Sequence, residues 1–221
     1  MNLLGLDTST PASAAAVLRA DGEAFARDPA PADLSGRPAH SAELLPRAVA
    51  ALADAGLAWE DLDAVAVGVG PGAFTGLRIG VATARALAAA HDLELRAVSS
   101  LAALAAGIDA PVRLPLVDAG RGELFAALYE GDEERWPPFA ATAEAVAERV
   151  HQGGLTPLGA GTGSIRWADA LEAGGVRVVP ADQQAHVPSA VAVCRLALGT
   201  PATPAEAVLP QYLREPDVQA P

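Results

Sequence analysis

GPGAFTGLRIG, residues 70–80, is the stretch of this 221-residue sequence that decides the fold. It follows an apolar run rich in valine at 63–69 and precedes a segment at 75–91 composed mostly of helix-forming residues. Its glycines allow the backbone to turn sharply between a buried strand and a helix, and Thr75 can cap that helix. The stretch therefore predicts a strand–turn–helix unit of an α/β protein.

The same turn has two possible uses, phosphate binding and close packing. Exposed amides at the start of a helix can hold an anion. However, the spacing GxGxxxG is not the dinucleotide fingerprint, and no lysine follows it as in a phosphate-binding loop. Close packing is favoured because small residues recur at every fourth position of the predicted helix, namely Gly76, Gly80, Ala84 and Ala88. The other sides of the helix are also largely apolar, which indicates a helix that is buried or covered by a partner.

The composition excludes several classes of function. The chain has 27 acidic and 15 basic residues, a net charge of −12 and a pI near 4.6. Strong direct binding to nucleic acid needs a basic surface, so we expect the chain to reach RNA only through a partner. All the basic residues are arginines, which excludes a Schiff base, a phosphate-loop lysine and a lysine general base.

The remaining bulk features indicate a soluble, cytoplasmic protein. Cys194 is the single cysteine, so the chain cannot form an internal disulfide. The N-terminus has neither the basic start nor the apolar core of a signal peptide. No run of 18 apolar residues is present, so we expect no membrane span.

The order of predicted elements repeats along the chain. A strand at 2–7 ends in Asp7 and is followed by a hairpin, a helix at 41–55, the strand at 63–69, the glycine turn and the helix at 75–91. A strand at 114–119 containing Asp118 restarts the pattern, followed by a strand at 123–129 and helices at 142–151, 164–173 and 188–198. We therefore predict two related halves, an N-terminal lobe over 1–107 and a C-terminal lobe over 108–221.

The two strand-end aspartates are candidate ligand-binding residues. Asp7 is followed by Thr8 and Ser9, and such a group can bind magnesium or phosphate at the edge of a sheet. The structural alternative is an aspartate that caps its own turn. Two such aspartates at matching places give some support to a vestigial nucleotide cleft formed by Asp7, Thr8, Ser9 and Asp118, although Arg121 and Glu123 could crowd or repel a nucleotide there. We therefore predict no cofactor for the chain itself, and expect ATP or ADP with magnesium only in an assembly with a partner.

Other chemistry-bearing residues form no recognisable site. His40 and Glu43 lie three residues apart, but two ligands do not make a metal site. No serine, histidine and acid combination has a distinctive spacing. We therefore predict no metal site and no catalytic residues of this chain's own.

Several ordered motifs give the chain a resemblance to the TsaB (YeaZ) family of bacterial tRNA threonylcarbamoyladenosine biosynthesis proteins. They are LLGLDTST at 3–10, HSAELLP at 40–46, GPGAFTGLRIGVATARALA at 70–88, VDAGRGELF at 117–125 and LPQYLR at 209–214. The resemblance implies the two-lobed actin, Hsp70 and sugar-kinase (ASKHA, ribonuclease H-like) fold. It also implies a non-catalytic role, in which the chain dimerises with the related transferase TsaD and works with the ATPase TsaE.

Comparison with the catalytic relative implies that a metal site is missing here. In TsaD, a segment resembling VNHLEGH carries two metal-binding histidines after the glycine turn and its helix. At the same offset this chain has VSSLAAL, 98–104, with Ser100 and Leu104 in place of those histidines. Leucine cannot coordinate a metal, and serine is a poor ligand for a transition metal.

The resemblance further implies an interface formed by the first two helices of the N-terminal half, which could also form a homodimer in isolation. The contact residues expected from it are His40, Leu44, Arg47, Gly76, Leu77, Gly80, Val81 and Ala84. On this basis Gly80→Leu is expected to disrupt association without unfolding the monomer. The alternative function is an ATP-dependent small-molecule kinase or ATPase of the same fold.

Overall fold

The apolar run at the N-terminus becomes the central strand of a sheet. Leu3–Asp7 forms β1, and all five of its side chains are buried, as expected for a strand that is covered on both faces. β1 pairs antiparallel with β2 (Ala14–Leu18) and parallel with β4 (Ala64–Gly68). The structure, a computed structural model, describes residues 1–214.

The first lobe is completed by two edge strands and three helices. The five-stranded sheet has the order β3-β2-β1-β4-β5, with β3 at Ala24–Arg27 and β5 at Glu94–Val98. Helices α1 (His40–Ala55) and α2 (Phe74–His91) pack on one face of it. Helix α3 (Ser100–Ala106) follows β5 and begins at a cap formed by the hydroxyl of Ser99.

The second lobe repeats this plan with five strands and three helices. Its strands are β6 (Val112–Gly120), β7 (Glu123–Glu130), β8 (Glu133–Thr142), β9 (Leu158–Ala160) and β10 (Arg177–Val178). Its helices are α4 (Ala143–Gln152), α5 (Thr162–Arg166) and α6 (Ala168–Ala173). A last helix, α7 (Ala190–Leu198), follows β10 after an irregular segment.

The two sheets have the same strand order and the same pattern of parallel and antiparallel pairs. In the second sheet β8-β7-β6-β9-β10 takes the place of β3-β2-β1-β4-β5. β6 pairs antiparallel with β7 and parallel with β9, as β1 does with β2 and β4. The predicted α/β fold with duplicated halves is therefore confirmed.

The last helix of each half packs on the sheet of the other half. Leu101 and Leu104 of α3 lie in an apolar cluster with Val117 and Phe125 of the second sheet. In return, α7 packs on the first sheet, where Cys194 contacts Leu3. The expectation that 188–198 completes the second lobe is therefore wrong, because the apolar face of β1 and β2 needs this helix as its cover.

The segment that follows α7 also departs from the predicted division of the chain at residue 107. Residues 203–211 return to the first lobe, where the backbone amide of Thr203 donates to Leu95 and that of Gln211 donates to Val69. The C-terminal segment 108–221 is thus not confined to one lobe. Its last seven residues, 215–221, lie outside the described residues.

Two local features of the second lobe differ from the prediction. Glu133–Thr142 forms the edge strand β8, although Pro137 and Pro138 interrupt any strand-like alternation in the sequence. Proline is tolerated there because an edge strand leaves some of its amides unpaired. The single helix predicted over 164–173 is divided into α5 and α6 at Trp167.

Gly5 sets how closely α7 can approach the first sheet. A Cβ atom at this position would collide with the carbonyl oxygen of Ala190 and lie 2.6 Å from Sγ of Cys194. We expect Gly5→Ala to lower the free energy of unfolding by about 1–3 kcal/mol, the usual cost of overpacking. Urea denaturation measures this change. Gly107→Ala is the matched control, because its Cβ would meet only an atom at 3.4 Å; equal losses for the two variants would contradict the close approach of α7.

Candidate functional site

The carboxylate of Asp7, at the end of β1, is enclosed by donors from the protein itself. Oδ1 accepts bonds from the backbone amide of Ser9 at 2.8 Å and from its hydroxyl at 2.6 Å. Oδ2 accepts a bond from the hydroxyl of Ser100 at 2.7 Å. The residue is only 1% exposed, and this burial raises the pKa of its carboxyl group. Asp7 therefore fastens the loop after β1 to the start of α3.

The glycines of α2 are explained by the approach of that same loop. The hydroxyl of Thr8 donates to the carbonyl oxygen of Gly76 at 2.8 Å. A Cβ at Gly80 would collide with this hydroxyl, and a Cβ at Gly76 would collide with the backbone oxygen of Thr8. A Cβ at Gly72 would lie 2.6 Å from the Cβ of Ser9. The space around the glycine turn is thus filled by residues 8 and 9.

The structure brings together a buried serine–histidine pair that the sequence spacing did not indicate. Oγ of Ser13 lies 2.9 Å from Nδ1 of His40, and neither residue is accessible. Burial lowers the pKa of His40, so its ring is favoured in the neutral form. Nε2 of His40 has no hydrogen-bond partner within residues 1–214 and lies against Gly76. Because Ser13 is fully buried, this pair is placed to support α1 and α2 and not to attack a substrate.

Asp118 occupies a different environment from Asp7. Its Oδ2 forms an ion pair with Arg166 at 2.7 Å, and its Oδ1 accepts a bond from the amide of Gly120 at 3.0 Å. The side chain is 24% exposed. The aspartate that repeats at the matching place in the second lobe therefore faces the space between the lobes.

A cavity of about 770 Å³ lies between the lobes. Of the four residues predicted to bind a nucleotide, Ser9 and Asp118 line it, whereas Asp7 and Thr8 are buried behind its wall. The charged groups on its wall are Asp118, Asp182 and Arg166. The rest of the wall is mostly apolar and includes Pro11, Ala30, Pro31, Ala32, Leu34, Ala73, Val117, Ile165 and Ala181.

This lining fits a magnesium nucleotide poorly. Among charged donors for phosphate the cavity offers one arginine, already paired with a carboxylate, and its other polar side chains are the hydroxyls of Ser9, Thr10, Ser35 and Thr162. The carboxylate expected to hold magnesium, Asp7, has both oxygens occupied. Asp7 and Thr8 are buried and bonded within the first lobe, so a nucleotide site stays a prediction in which Ser9 and Asp118 are the two accessible members.

The contact residues expected on the first two helices are mostly internal. Seven of them are buried within the lobe, namely His40, Leu44, Gly76, Leu77, Gly80, Val81 and Ala84. Arg47 is partly exposed; it donates to the carbonyl oxygen of Arg27 and pairs with Glu43. The seven buried residues therefore pack inside the first lobe and support α1 and α2, so a partner would meet other side chains of these helices.

The solvent-facing side of α1 and α2 carries residues other than the expected contact residues. Leu45 and Val49, one turn apart on α1, are 47% and 48% exposed, so they present two neighbouring apolar side chains to solvent. On α2, Arg78 and Ala82 are exposed and Ile79 is partly exposed. The helix predicted over 41–55 is confirmed as α1, but the sequence did not reveal that Leu45 and Val49 face solvent.

The positions that match the metal-binding histidines of the catalytic relative are both internal. Ser100 is fully buried, and its hydroxyl accepts a bond from the amide of Gly70 besides donating to Asp7. Leu104 is fully buried in the cluster between α3 and the second sheet. Within residues 1–214, no group of three or more histidine, cysteine, aspartate or glutamate side chains is arranged to hold a metal ion. None of the helices in that range is long and apolar enough to cross a membrane.

The duplicated sheets and exchanged helices define a protein of the actin, Hsp70 and sugar-kinase class whose cleft carries few phosphate-binding groups. Two solved structures from Pseudomonas aeruginosa have the same architecture. YeaZ from that organism superposes with a TM-score of 0.77 at 30% identity, over 96% of this chain and 99% of that one. An uncharacterized protein described as similar to the peptidase YeaZ gives a TM-score of 0.78 at 31% identity, with the same coverage.

Sequence comparisons agree with the structural ones. The tRNA threonylcarbamoyladenosine biosynthesis protein TsaB of Escherichia coli is 34% identical over 178 residues, which cover 76% of this chain and 74% of that protein. An uncharacterized protein of Mycobacterium tuberculosis is 39% identical over 143 residues, 64% of this chain and 66% of that protein. The family model of TsaD, tRNA N6-adenosine threonylcarbamoyltransferase, matches residues 35–156. The chain belongs to the TsaB/YeaZ family.

Gly80→Leu is expected to destabilise the monomer, contrary to the expectation from sequence, because a side chain there displaces the buried hydroxyl of Thr8. The loss in unfolding free energy should reach about 3 kcal/mol or more. Thermal and urea unfolding measure it. Ala82→Leu, at an exposed position of the same helix, should leave stability nearly unchanged. A stably folded Gly80→Leu monomer would contradict the close fit of Thr8 on α2.

The raised pKa of Asp7 predicts the direction in which the free energy of unfolding changes with pH. The folded state holds its proton to higher pH than the unfolded chain, whose carboxyl titrates near 3.8. Stability contributed by this carboxyl is therefore lost as pH rises from that value through the folded pKa. Urea unfolding of the wild type and of Asp7→Asn from pH 4 to 8 should give a difference, wild type minus variant, that decreases with pH. An increasing difference would mean that the three hydrogen bonds outweigh burial.

Proposed function

We propose that this chain is a non-catalytic subunit of the complex that forms N6-threonylcarbamoyladenosine at position 37 of tRNA. In this role it dimerises with the transferase TsaD, supports its active arrangement and works with the ATPase TsaE. The observation that carries the proposal is the pair of half-exposed apolar side chains, Leu45 and Val49, on a helix whose other apolar face already packs in the core. Such a second apolar stripe is typical of a helix that is covered by a partner.

The interior of the molecule supports a non-catalytic role. Asp7 and Ser100 bond to each other, and Leu104 packs in the core, so none of the three is free to hold a ligand. The rival function, an ATP-dependent kinase or ATPase, would need phosphate-binding groups in the interlobe cavity, where the single arginine is paired with Asp118. A nucleotide and magnesium are therefore expected to act at the level of the complex.

The charge of the chain supports an indirect contact with tRNA. With a net charge of −12, the chain as a whole repels the phosphate backbone, so the tRNA is reached through the complex. Without its partner, the chain is expected to use the same apolar helices to form a homodimer. We propose that the chain acts in the cytoplasm.

Leu45→Asp tests the proposed interface. A charge in the middle of an apolar contact should weaken binding to the cognate TsaD at least about tenfold, because the carboxylate loses water without gaining a partner. Isothermal titration calorimetry measures the affinity, and a reconstituted reaction measures threonylcarbamoyl transfer to tRNA with and without this chain.

Leu198→Asp provides the matched control for that experiment. Leu198 is 53% exposed but lies on α7, across the first sheet from α1, so its replacement should change neither affinity nor transfer. Two outcomes would overturn the proposal. One is undiminished binding by Leu45→Asp, and the other is transfer by TsaD and TsaE at the full rate when this chain is omitted.

A further inference from the structure

A groove of about 590 Å³ runs along the flank of α2, between the helix and the chain segment 209–212. Two exposed apolar side chains, Leu209 at 62% and Tyr212 at 39%, form its outer wall. Its lining consists of Arg78, Val81, Ala82, Arg85, Leu209, Pro210 and Tyr212. Arg78 packs against aromatic residues, whereas no ion pair or hydrogen bond within residues 1–214 accounts for Arg85.

The groove is a local positive surface on an acidic protein. Helix α2 and residues 209–212 contain no aspartate or glutamate, although the chain has 27 such residues; the nearest ones in sequence within residues 1–214 are Asp92, directly after α2, and Glu206. The two arginines of the groove are therefore not offset by carboxylates on the elements that form it. Complementary charge across an interface speeds association and selects the partner.

Arg78 is held in a fixed orientation. Its Nε atom donates to the hydroxyl of Tyr212 at 3.0 Å, and its guanidinium lies 3.8 Å from the centre of the Phe74 ring. Neither Nη atom makes a hydrogen bond within residues 1–214. A guanidinium positioned in this way presents planar N–H donors that match a carboxylate.

Arg85 is the second cation of the groove. It makes no ion pair or hydrogen bond to any other residue in the described part of the chain. It lies seven residues after Arg78, which is about two helical turns, or roughly 10.5 Å along the axis. A helix lying beside α2 would match both arginines with acidic residues at positions i and i+7.

The groove is separated from the apolar surface of the proposed interface by the width of α2. His40 of α1 packs against Gly76 on one flank of α2, whereas the groove follows the opposite flank. A partner helix that covers Leu45 and Val49 and crosses α2 therefore reaches Ala82, Arg78 and Arg85. We propose that the groove binds two carboxylate side chains of TsaD, two helical turns apart, so that ion pairs flank the apolar contact. This inference rests on the proposed function.

The absence of lysine from the sequence allows a direct test. A carbodiimide couples a carboxylate to an amine without a spacer, and the only amine of the wild-type chain is at its N-terminus. Arg85→Lys keeps the positive charge and introduces one side-chain amine. In a complex with the cognate TsaD, this variant should cross-link to an aspartate or glutamate of TsaD, which peptide mass spectrometry identifies.

Arg195→Lys is the matched control for the cross-link, because Arg195 is exposed on α7 at the other face of the first sheet. A yield with Arg85→Lys no greater than with Arg195→Lys would overturn the inference. So would a cross-link from the Arg85→Lys side chain to a carboxylate of this chain's own 215–221 segment, or to a second copy of the chain.

Charge reversal gives a second readout that separates the two proposals. Arg85→Glu should weaken binding to TsaD about tenfold at low salt and flatten the dependence of affinity on ionic strength, whereas Arg195→Glu should do neither. If Arg85→Glu binds normally while Leu45→Asp does not, the groove lies outside the interface and the proposed function stands. If both bind normally, the proposed interface itself is wrong.

Discussion

The insertion of Thr8 into the glycine face of α2 is the contact on which the first lobe depends. The hydroxyl donates to the carbonyl oxygen of Gly76, and the absence of side chains at Gly76 and Gly80 makes room for it. The adjoining carboxylate of Asp7 fixes Ser9 and Ser100 around the same point. These bonds bring the loop after β1, the start of α2 and the start of α3 together, and so set the position of the helices that present Leu45 and Val49.

The two halves of the molecule keep one topology but use their strand-end aspartates differently. Asp7 is sealed inside the first lobe, whereas Asp118 faces the cavity and pairs with Arg166. The carboxyl ends of both central strands still point towards the space between the lobes, as in a ligand-binding member of this fold class. The cavity between the lobes thus keeps Ser9 and Asp118 on its wall while Asp7 is committed to packing, and the proposed function uses the outer side of α1 and α2 instead.

The sequence predicted the fold well where a local signal and the tertiary structure agree. The turn at 70–80, the apolar strands and the repeated element order were enough to predict two related halves. The exchange of α3 and α7 between the lobes was not predictable, because periodicity shows that a helix has an apolar face but not which sheet covers it.

The candidate site was harder to predict from the sequence than the fold, for the same reason. Leu44 and Leu45 are neighbours of identical type, and only the packed structure distinguishes the core residue from the exposed one. Likewise, the role of Asp7 depends on Ser100, 93 residues away.

The return of α7 to the first sheet makes the first lobe depend on a segment that follows the second lobe in the chain. Until residues 190–198 have left the ribosome, the face of β1 and β2 that contains Leu3, Ala14 and Ala16 has no cover. The first lobe therefore cannot complete its core before the second lobe has been synthesised, in contrast to chains whose domains fold in order from the N-terminus. For this protein, a truncated product would expose apolar sheet surface in its first lobe, so loss of the C-terminal helix is a hazard of aggregation as well as of lost contacts.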